Sequence, residues 1–431
     1  MERPDYLDII LDPSLLVVIG GTVLLSISAS LVGTFTFLQK RSLVGDAVAH
    51  AILPGVAVAF ILRGEKDPLW LMAGALVSGW IAIWLMNLIS TRTKLSSDTA
   101  IAAVLSIFFG IGILLITYIQ GLANGNQAGL DQFLFGKAAA MRQKDLMIYG
   151  GLALLLILAV FLFFKEFSLM SFNPDFAQSV GLPLGALNFV LNSLMVLAVA
   201  VGIQAVGVVL MAALLITPSA AARSWTDSLK PMMLISALIA AFSAFSGSLL
   251  SFVAPSMPTG PWIVMGLSLV ALFSLFLAPK RGMLARLLQQ KQHQRKIRDE
   301  NILKAIYHYQ ERSNAKQQWL HEEDILEVRA FKKEALTQGL KHLSRKGMVL
   351  NQADRIQLSK RGKVEAKRIV RLHRLWEMYL SQRLRLKADH IHPNAETMEH
   401  IISPEIEAQL LKELDYPDLD PHLSPIPYEH D

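Results

Sequence analysis

The sequence predicts an all-α polytopic membrane domain of about eight to nine transmembrane helices, followed by a soluble, mainly helical domain. Three observations carry this. The 431-residue chain is 53% hydrophobic with a mean hydropathy of +0.41, too apolar for an ordinary soluble protein. Between Leu15 and about Pro279 the apolar residues form long runs broken by short polar connectors. From Lys280 onward the chain is rich in Lys, Arg, Glu, His and Gln, and its formal net charge of +6 shows that charge collects away from the apolar runs.

A bilayer core about 30 Å thick takes about 20 apolar residues per helical crossing. Candidate spans lie near 14–38, 46–62, 69–89, 98–120, 147–164, 186–203, 205–218, 232–253 and 261–279, the seventh being short. The first follows Glu2, Asp5, Asp8 and Asp12 and leads to no small-residue cleavage site, so it is expected to stay in the mature protein rather than act as a signal peptide. If nine spans alternate, Lys40/Arg41, Arg92/Lys94, Lys165, Arg223/Lys230 and Lys280/Arg281 all fall on one side, which the positive-inside bias makes the cytoplasm. The exception is the connector 121–146, whose Lys137, Arg142 and Lys144 fall outside.

With no cysteine, disulfides, thiolate metal sites and thiol catalysis are excluded, and any metal must be held by oxygen or imidazole. Only one histidine, His50, precedes residue 280, and it follows Asp46 by four residues in SLVGDAVAHAILPGVAVAF. On a helix the two point the same way. They suit partial coordination of a divalent cation, with Gly45, Ala47 and Ala51 leaving room for close helix packing. The alternative at this point is that Asp46 caps a helix and His50 is an interhelical hydrogen-bonder. Pro218 and the Pro258/Gly260/Pro261 group stand near span ends, are expected to terminate helices, and receive no ligand role.

RSLVGDAVAHAILPGVAVAF, DTAIAAVLSIFFGIGILL, DQFLFGK, SFNPDFAQSVGLP, QAVGVVLMAALLITPSAAAR and MPTGPWIVMG occur in this order over residues 1–280. Together they resemble the metal-uptake ABC permease family, which serves zinc, manganese and iron. The resemblance implies that Asp46 and His50 lie on the metal path. It also implies that Ser171, Phe172, Asn173, Pro174, Asp175, Phe176 and Gly181 belong to a coupling helix docked on an ATP-binding subunit, started by Asn173-Pro174-Asp175 and ended by Gly181-Leu182-Pro183. The chain has no GxxxxGK[ST] phosphate loop, so ATP hydrolysis is expected in that separate subunit and the chain is not expected to be an enzyme. Further implied partners are an extracytoplasmic metal-binding protein and a second permease chain, identical or not, in the plasma (inner) membrane of a bacterium.

The segment 281–299 is basic and reads as a helical linker. Beyond it Ile302, Ile306 and Tyr309 repeat at helical spacing, as do Leu336, Leu340 and Leu343, and MVLNQADRIQLSKRGK holds two β-like stretches around a polar turn. Helix, helix and hairpin outline a winged helix.

EALTQGLKHLSRKGMV, IQLSKRGKVEAKRIVRLHRLWEMYL, HIHPNAETMEHIISPEIEAQLLKEL and the terminal SPIP are similar to the iron- and manganese-dependent repressors related to the diphtheria toxin repressor. That resemblance implies a winged-helix DNA-binding-like part over 300–365 and a helical metal-binding and dimerisation part over 366–431. Glu396, Glu399 and His400 fall on the family's primary ligands, and His373, Glu377 and His392 on its second site. Asn301 and Lys304 stand where acidic or thioether ligands are usual. The recognition helix, about 332–345, would carry Lys332, Lys333, Thr337, Gln338, Lys341 and Arg345 towards DNA. Two functions follow. One is a manganese (or zinc or iron) import permease with a cytoplasmic metal-responsive tail; the other is a membrane-tethered or released metal-dependent transcriptional regulator. The full run of permease motifs favours the first.

Overall fold

The computed structural model describes residues 12–65, 67–121, 141–253, 258–313, 319–352, 355–384 and 402–428. The chain divides into two compact units, Met1–Arg286 and Leu287–Asp431.

The first unit is helical throughout its described residues. Helix α1 (Pro13–Leu38) starts on the Asp12 carboxylate, which accepts from the Ser14 and Leu15 amides, with Pro13 preset for the first turn. It is followed by α2 (Ser42–Ala51), α3 (Leu53–Arg63), α4 (Pro68–Arg92), α5 (Ser97–Gly121) and α6 (Gln143–Leu162). Two short helices, α7 (Phe164–Phe172) and α8 (Pro174–Ser179), precede α9 (Leu184–Val206), α10 (Val208–Arg223), α11 (Leu229–Val253) and α12 (Thr259–Leu277). Among the described residues eight helical runs of 19 to 26 residues are long and apolar enough to cross a membrane, α2 and α3 together supplying one of them.

The short seventh run is α10, separated from α9 by Gly207 at φ +90°, a conformation glycine adopts without a Cβ clash. At 16 residues it falls short of a full crossing. Pro218 does not end it as expected: α10 continues to Arg223. The buried Ser219 hydroxyl beside the proline bonds Thr34 of α1 at 2.9 Å and Ser236 of α11 at 3.1 Å, so neighbouring helices brace the interruption. Pro258, by contrast, does stand at a helix boundary, at the N-cap of α12.

Helix α1 packs against α6, α9, α10 and α11 and forms the centre of the unit. Its apolar stretch is 61% buried, against 22% for α6 and for α12. The outer helices instead expose Leu154, Leu158 and Phe161, or Leu269 and Phe273, an apolar belt that suits hydrocarbon. Small residues bring backbones together. A Cβ on Gly33 of α1 would lie 1.8 Å from the Leu215 carbonyl oxygen of α10. In the α3–α4 crossing the fit is reciprocal: a Cβ on Gly55 would meet the Gly74 oxygen at 2.1 Å, and one on Gly74 the Gly55 oxygen at 2.3 Å.

In the second unit, the expected linker and the first domain helix form one helix, α13 (Met283–Arg312), because after Gly282 the sequence offers no glycine or proline to break it. Helices α14 (Glu322–Val328) and α15 (Lys333–Arg345) follow. The hairpin is β1 (Val349–Gln352) against β2 (Arg355–Leu358), antiparallel with Val349 opposite Leu358, and Leu320 bridges Ile356 on the other edge. Ile302, Ile306, Leu336, Leu340 and Leu343 enter one buried core with Val349 and Ile356, while Tyr309 stands at its rim and donates to Asp324 at 3.1 Å. Helix α16 (Lys360–Leu384) and α17 (Pro404–Glu413) pack together, and the terminal segment returns to place Ile426 against Leu375 and Leu414.

Candidate functional site

Asp46 does not cap a helix. The N-cap of α2 is Arg41, and Asp46 lies inside the helix, one turn before His50. Helix α2 is packed by α4, α5, α9 and α10, with Ala47 and Ala51 fully buried and Gly45 facing the Leu215 side chain. The His50 ring meets Phe109 of α5 edge-on, centroids 5.0 Å apart. Its Nε2 is 3.7 Å from Asp46 Oδ1, too long for a hydrogen bond, and its Nδ1 is buried without a hydrogen-bond partner. A buried imidazole nitrogen with no partner is costly, and on the other side of the ring Nε2 faces the Asp46 carboxylate, whose side chain is 45% exposed. Two donors each about 2.1 Å from one cation stand about 3 to 3.5 Å apart, close to this separation. Below His50, Pro54 cannot donate to the His50 carbonyl, and the helix is offset at Ile52 between α2 and α3. Ser78 of α4 donates to the Ala51 carbonyl there at 2.6 Å.

The segment from Ser171 to Pro183 builds a separate feature. Asn173 Oδ1 accepts from the Phe176 amide at 3.0 Å, Pro174 opens α8, and Gly181 at φ +86° lets Leu182 N–H turn back to the Ala177 carbonyl. Phe172, Phe176 and Val180 are left more than half exposed, apolar side chains presented by a short capped helix and its flanks.

In the second unit, Lys332, Lys333, Thr337, Gln338, Lys341 and Arg345 are all exposed, on the side of α15 away from buried Leu336, Leu340 and Leu343. The Thr337 hydroxyl is turned back onto the Lys333 carbonyl at 3.0 Å. Glu396, Glu399, His400 and His392 lie outside the described residues. His373 and Glu377 are brought together, Nε2 to Oε1 at 3.1 Å, both almost fully buried. This imidazole-carboxylate pair fits a divalent metal. Asn301 and Lys304 do not. The Asn301 amide oxygen is taken by Arg329 at 3.0 Å, and Lys304 is 5% exposed, a buried cation where a metal would want an anion. Among the described residues no group of three or more His, Asp or Glu side chains converges.

Residues 12–278 match the model of the ABC 3 transport family. The chain belongs to that family. Its second unit carries the iron-dependent repressor metal-binding and dimerisation domain, matched over residues 359–428. The ABC 3 chain is 42% identical over 297 residues to the manganese transport system membrane protein MntC of Bacillus subtilis, covering 69% of this chain and 68% of that one. It is 41% identical over 274 residues to the zinc transport system membrane protein TroC of Treponema pallidum, covering 64% of this chain and 92% of that one. Among solved structures, PsaBC from Streptococcus pneumoniae in complex with Fab superposes with a TM-score of 0.58 at 33% identity, covering 66% of this chain and 97% of that one. The ABC 3 permease is therefore a multi-pass membrane protein.

Sequence reasoning missed the ion pairs that hold the repressor-like unit together. Arg374 grips Glu311 through both terminal nitrogens, at 3.1 and 2.7 Å, and donates to the Pro425 carbonyl, fastening the C-terminal segment. Arg371 and Arg368 share Glu407. Burial opposes ionisation of Glu311, but hydrogen bonds from His308 and Arg374 outweigh it and hold its carboxyl at about 2, below the ordinary 4.5. Burial also pushes His308 below the ordinary 6.5; its bond to Glu311 opposes this, and the charges of Lys304 and Arg374 add to it. Both groups bind fewer protons folded than unfolded, so the stability they contribute falls with pH. The His308 part is lost as pH drops below about 6.5 and the Glu311 part from about 4.5 towards 2. The melting temperature of the repressor-like unit is thus expected to fall steadily between pH 7 and 3, with Glu311→Gln flattening the lower part of the profile. A profile unchanged by that substitution would contradict the assignment.

Proposed function

We propose that the chain is the permease of an ATP-driven importer for a divalent transition metal, manganese first, with zinc or iron as alternatives. The observation that carries this is the Asp46–His50 pair: His50 Nε2 3.7 Å from a half-exposed carboxylate, on a ring whose Nδ1 is buried without a hydrogen-bond partner, inside the membrane unit, where ionisable groups are costly unless they serve a pathway. Each chain offers two side-chain donors there, so water, backbone carbonyls or a second permease chain complete the cation's shell in passage. An extracytoplasmic binding protein delivers the metal, and a separate ATPase docks on the exposed apolar residues around α8. We read that segment and the C-terminal unit as cytoplasmic in a bacterial cell, a reading that the basic connectors support when α10 counts as a ninth crossing.

The repressor-like unit acts as a cytoplasmic metal-responsive domain that adjusts transport, with His373 and Glu377 among its ligands. Manganese uptake by a deletion strain carrying either the full chain or a form ending at Arg281 tests this. The shortened permease should still transport but lose its down-regulation at high metal. Identical regulation in both would leave the tail without a transport role. The second reading, a tethered or released transcriptional regulator, draws on the exposed cationic face of α15, and DNA is then a partner. Because Asn301 and Lys304 do not fit a metal, affinity in the tail should be weak. Asn301→Asp with Lys304→Glu adds two hard oxygen ligands and removes one positive charge, and should tighten manganese binding by at least about tenfold by isothermal titration.

A further inference from the structure

The first three turns of α16 carry Lys360, Lys363, Val364, Lys367, Arg368 and Arg371 along one face, and with Tyr428 from the C-terminal segment these residues line a cavity of about 490 Å³. Among the described residues no carboxylate lines it. The two arginines are already paired: Glu407 of α17 accepts from Arg368 Nε at 3.1 Å and from Arg371 Nη2 at 2.6 Å, Arg368 also lies 3.6 Å from the Glu365 carboxylate, and Arg371 is almost wholly buried. The lysines are not. Among the described residues Lys360, Lys363 and Lys367 form no ion pair, although Lys363 and Lys367 are half-buried.

Helix physics makes this placement unfavourable. The N-terminal turns of a helix already carry positive dipole charge, which disfavours cations. Lys363 and Lys367 are also i, i+4 neighbours, a like-charge pair that weakens a helix. Three uncompensated ammonium groups converging on a concave, partly desolvated space are the complement of an external polyanion. The volume lies within the range of small-molecule sites, and Val364 and the Tyr428 ring give one wall an apolar surface. A nucleic-acid duplex spreads its phosphates over a convex surface and could offer such a cavity little more than one of them.

We infer that this cavity binds a small soluble ligand bearing a pyrophosphate group, of the nucleoside diphosphate class, with its phosphates on Lys360, Lys363 and Lys367 and its base against Val364 and Tyr428. Because Tyr428 belongs to the terminal segment and the lysines to α16, such a ligand clamps the end of the chain to the helix that also carries His373 and Glu377. Nucleotide state would then be read by the same helix as metal.

The test is calorimetric titration of the full-length chain in detergent with magnesium-free ADP, with sodium sulfate and a short DNA duplex as comparators. The chain lacks a phosphate-binding loop of the GxxxxGK[ST] kind, so heat from ADP cannot come from one. A saturable single-site isotherm is expected, weakened at least about tenfold in Lys363→Gln with Lys367→Gln and lost in Val364→Glu. Val364 is 63% exposed, so that substitution places a carboxylate in the cavity without disturbing the core. The melting temperature without ligand should be unchanged or raised in the lysine variant, and ADP should raise that of the parent chain. Absence of ADP binding overturns the inference, as does equal binding by the variants or equal competition by sulfate. Lysine-dependent binding of the duplex alone would assign the face to nucleic acid instead.

Discussion

Replacing Asp46 or His50 by alanine is expected to abolish manganese uptake while leaving the chain folded and assembled with its ATPase. The packing of α2 rests mainly on Ala47, Val48, Ala49 and Ala51, all fully buried, and the two side chains add to it only the edge contact of the His50 ring with Phe109. Both instead supply the donor atoms of the membrane unit's one imidazole-carboxylate pair among the described residues. Losing one of two ligands in a low-dielectric passage should lower uptake by at least about 100-fold. Asp46→Asn should fall nearly as far, since it keeps the shape and removes the charge. Uptake of radioactive manganese by whole cells, with membrane levels of the chain matched, checks this. Near-normal uptake by both alanine variants would remove the pair from the metal path.

The second large effect is expected at α8, the proposed coupling segment. Asp175→Lys with Phe176→Ala changes an exposed acidic and an exposed apolar position of α8 while leaving the Asn173 cap and the Gly181 turn intact. Helix α8 should therefore still form. If Phe176 is an anchor in the contact with the ATPase, its truncation beside a reversed charge should reduce transport by about tenfold or more. Hydrolysis by the assembled complex should then lose its response to metal. Metal-stimulated phosphate release from reconstituted complex measures this, and an unaltered response would make α8 a plain connector.

Legibility in the sequence depended on how local the cause was. The crossing helices, the exposed cationic face of α15 and the Asn173-Pro174 start of α8 follow from residues within one or two turns of each other, so periodicity and capping chemistry were enough. The Asp46–His50 alignment is local in the same way, a single helical turn. The position of Asp46 inside α2 is not, because the start of the helix at Ser42 depends on packing against neighbours distant in sequence such as α9 and α10. Pro218 reads as a stop, yet α10 passes through it because Thr34 and Ser236, far away in sequence, hold Ser219. The Arg374–Glu311 and Arg371–Glu407 pairs join residues 63 and 36 positions apart. Nothing in either local stretch announces its partner, and so the buried ionic framework stayed invisible until the helices were placed.

The reciprocal contact of Gly55 and Gly74 sets where the membrane unit can articulate. With backbone oxygen of each helix lying where the other's Cβ would be, α3 and α4 cannot slide past one another without first separating, and they must travel as one slab. Ser78 of that slab holds the last carbonyl of α2 by a single hydrogen bond. The compliant element beside His50 is therefore the joint at Ile52, where Pro54 has already removed a rung of the helical ladder. Any rocking that alternately opens the two sides of the pathway would turn α2 about that joint and sweep Asp46 and His50 through an arc, while the α3–α4 slab stays still.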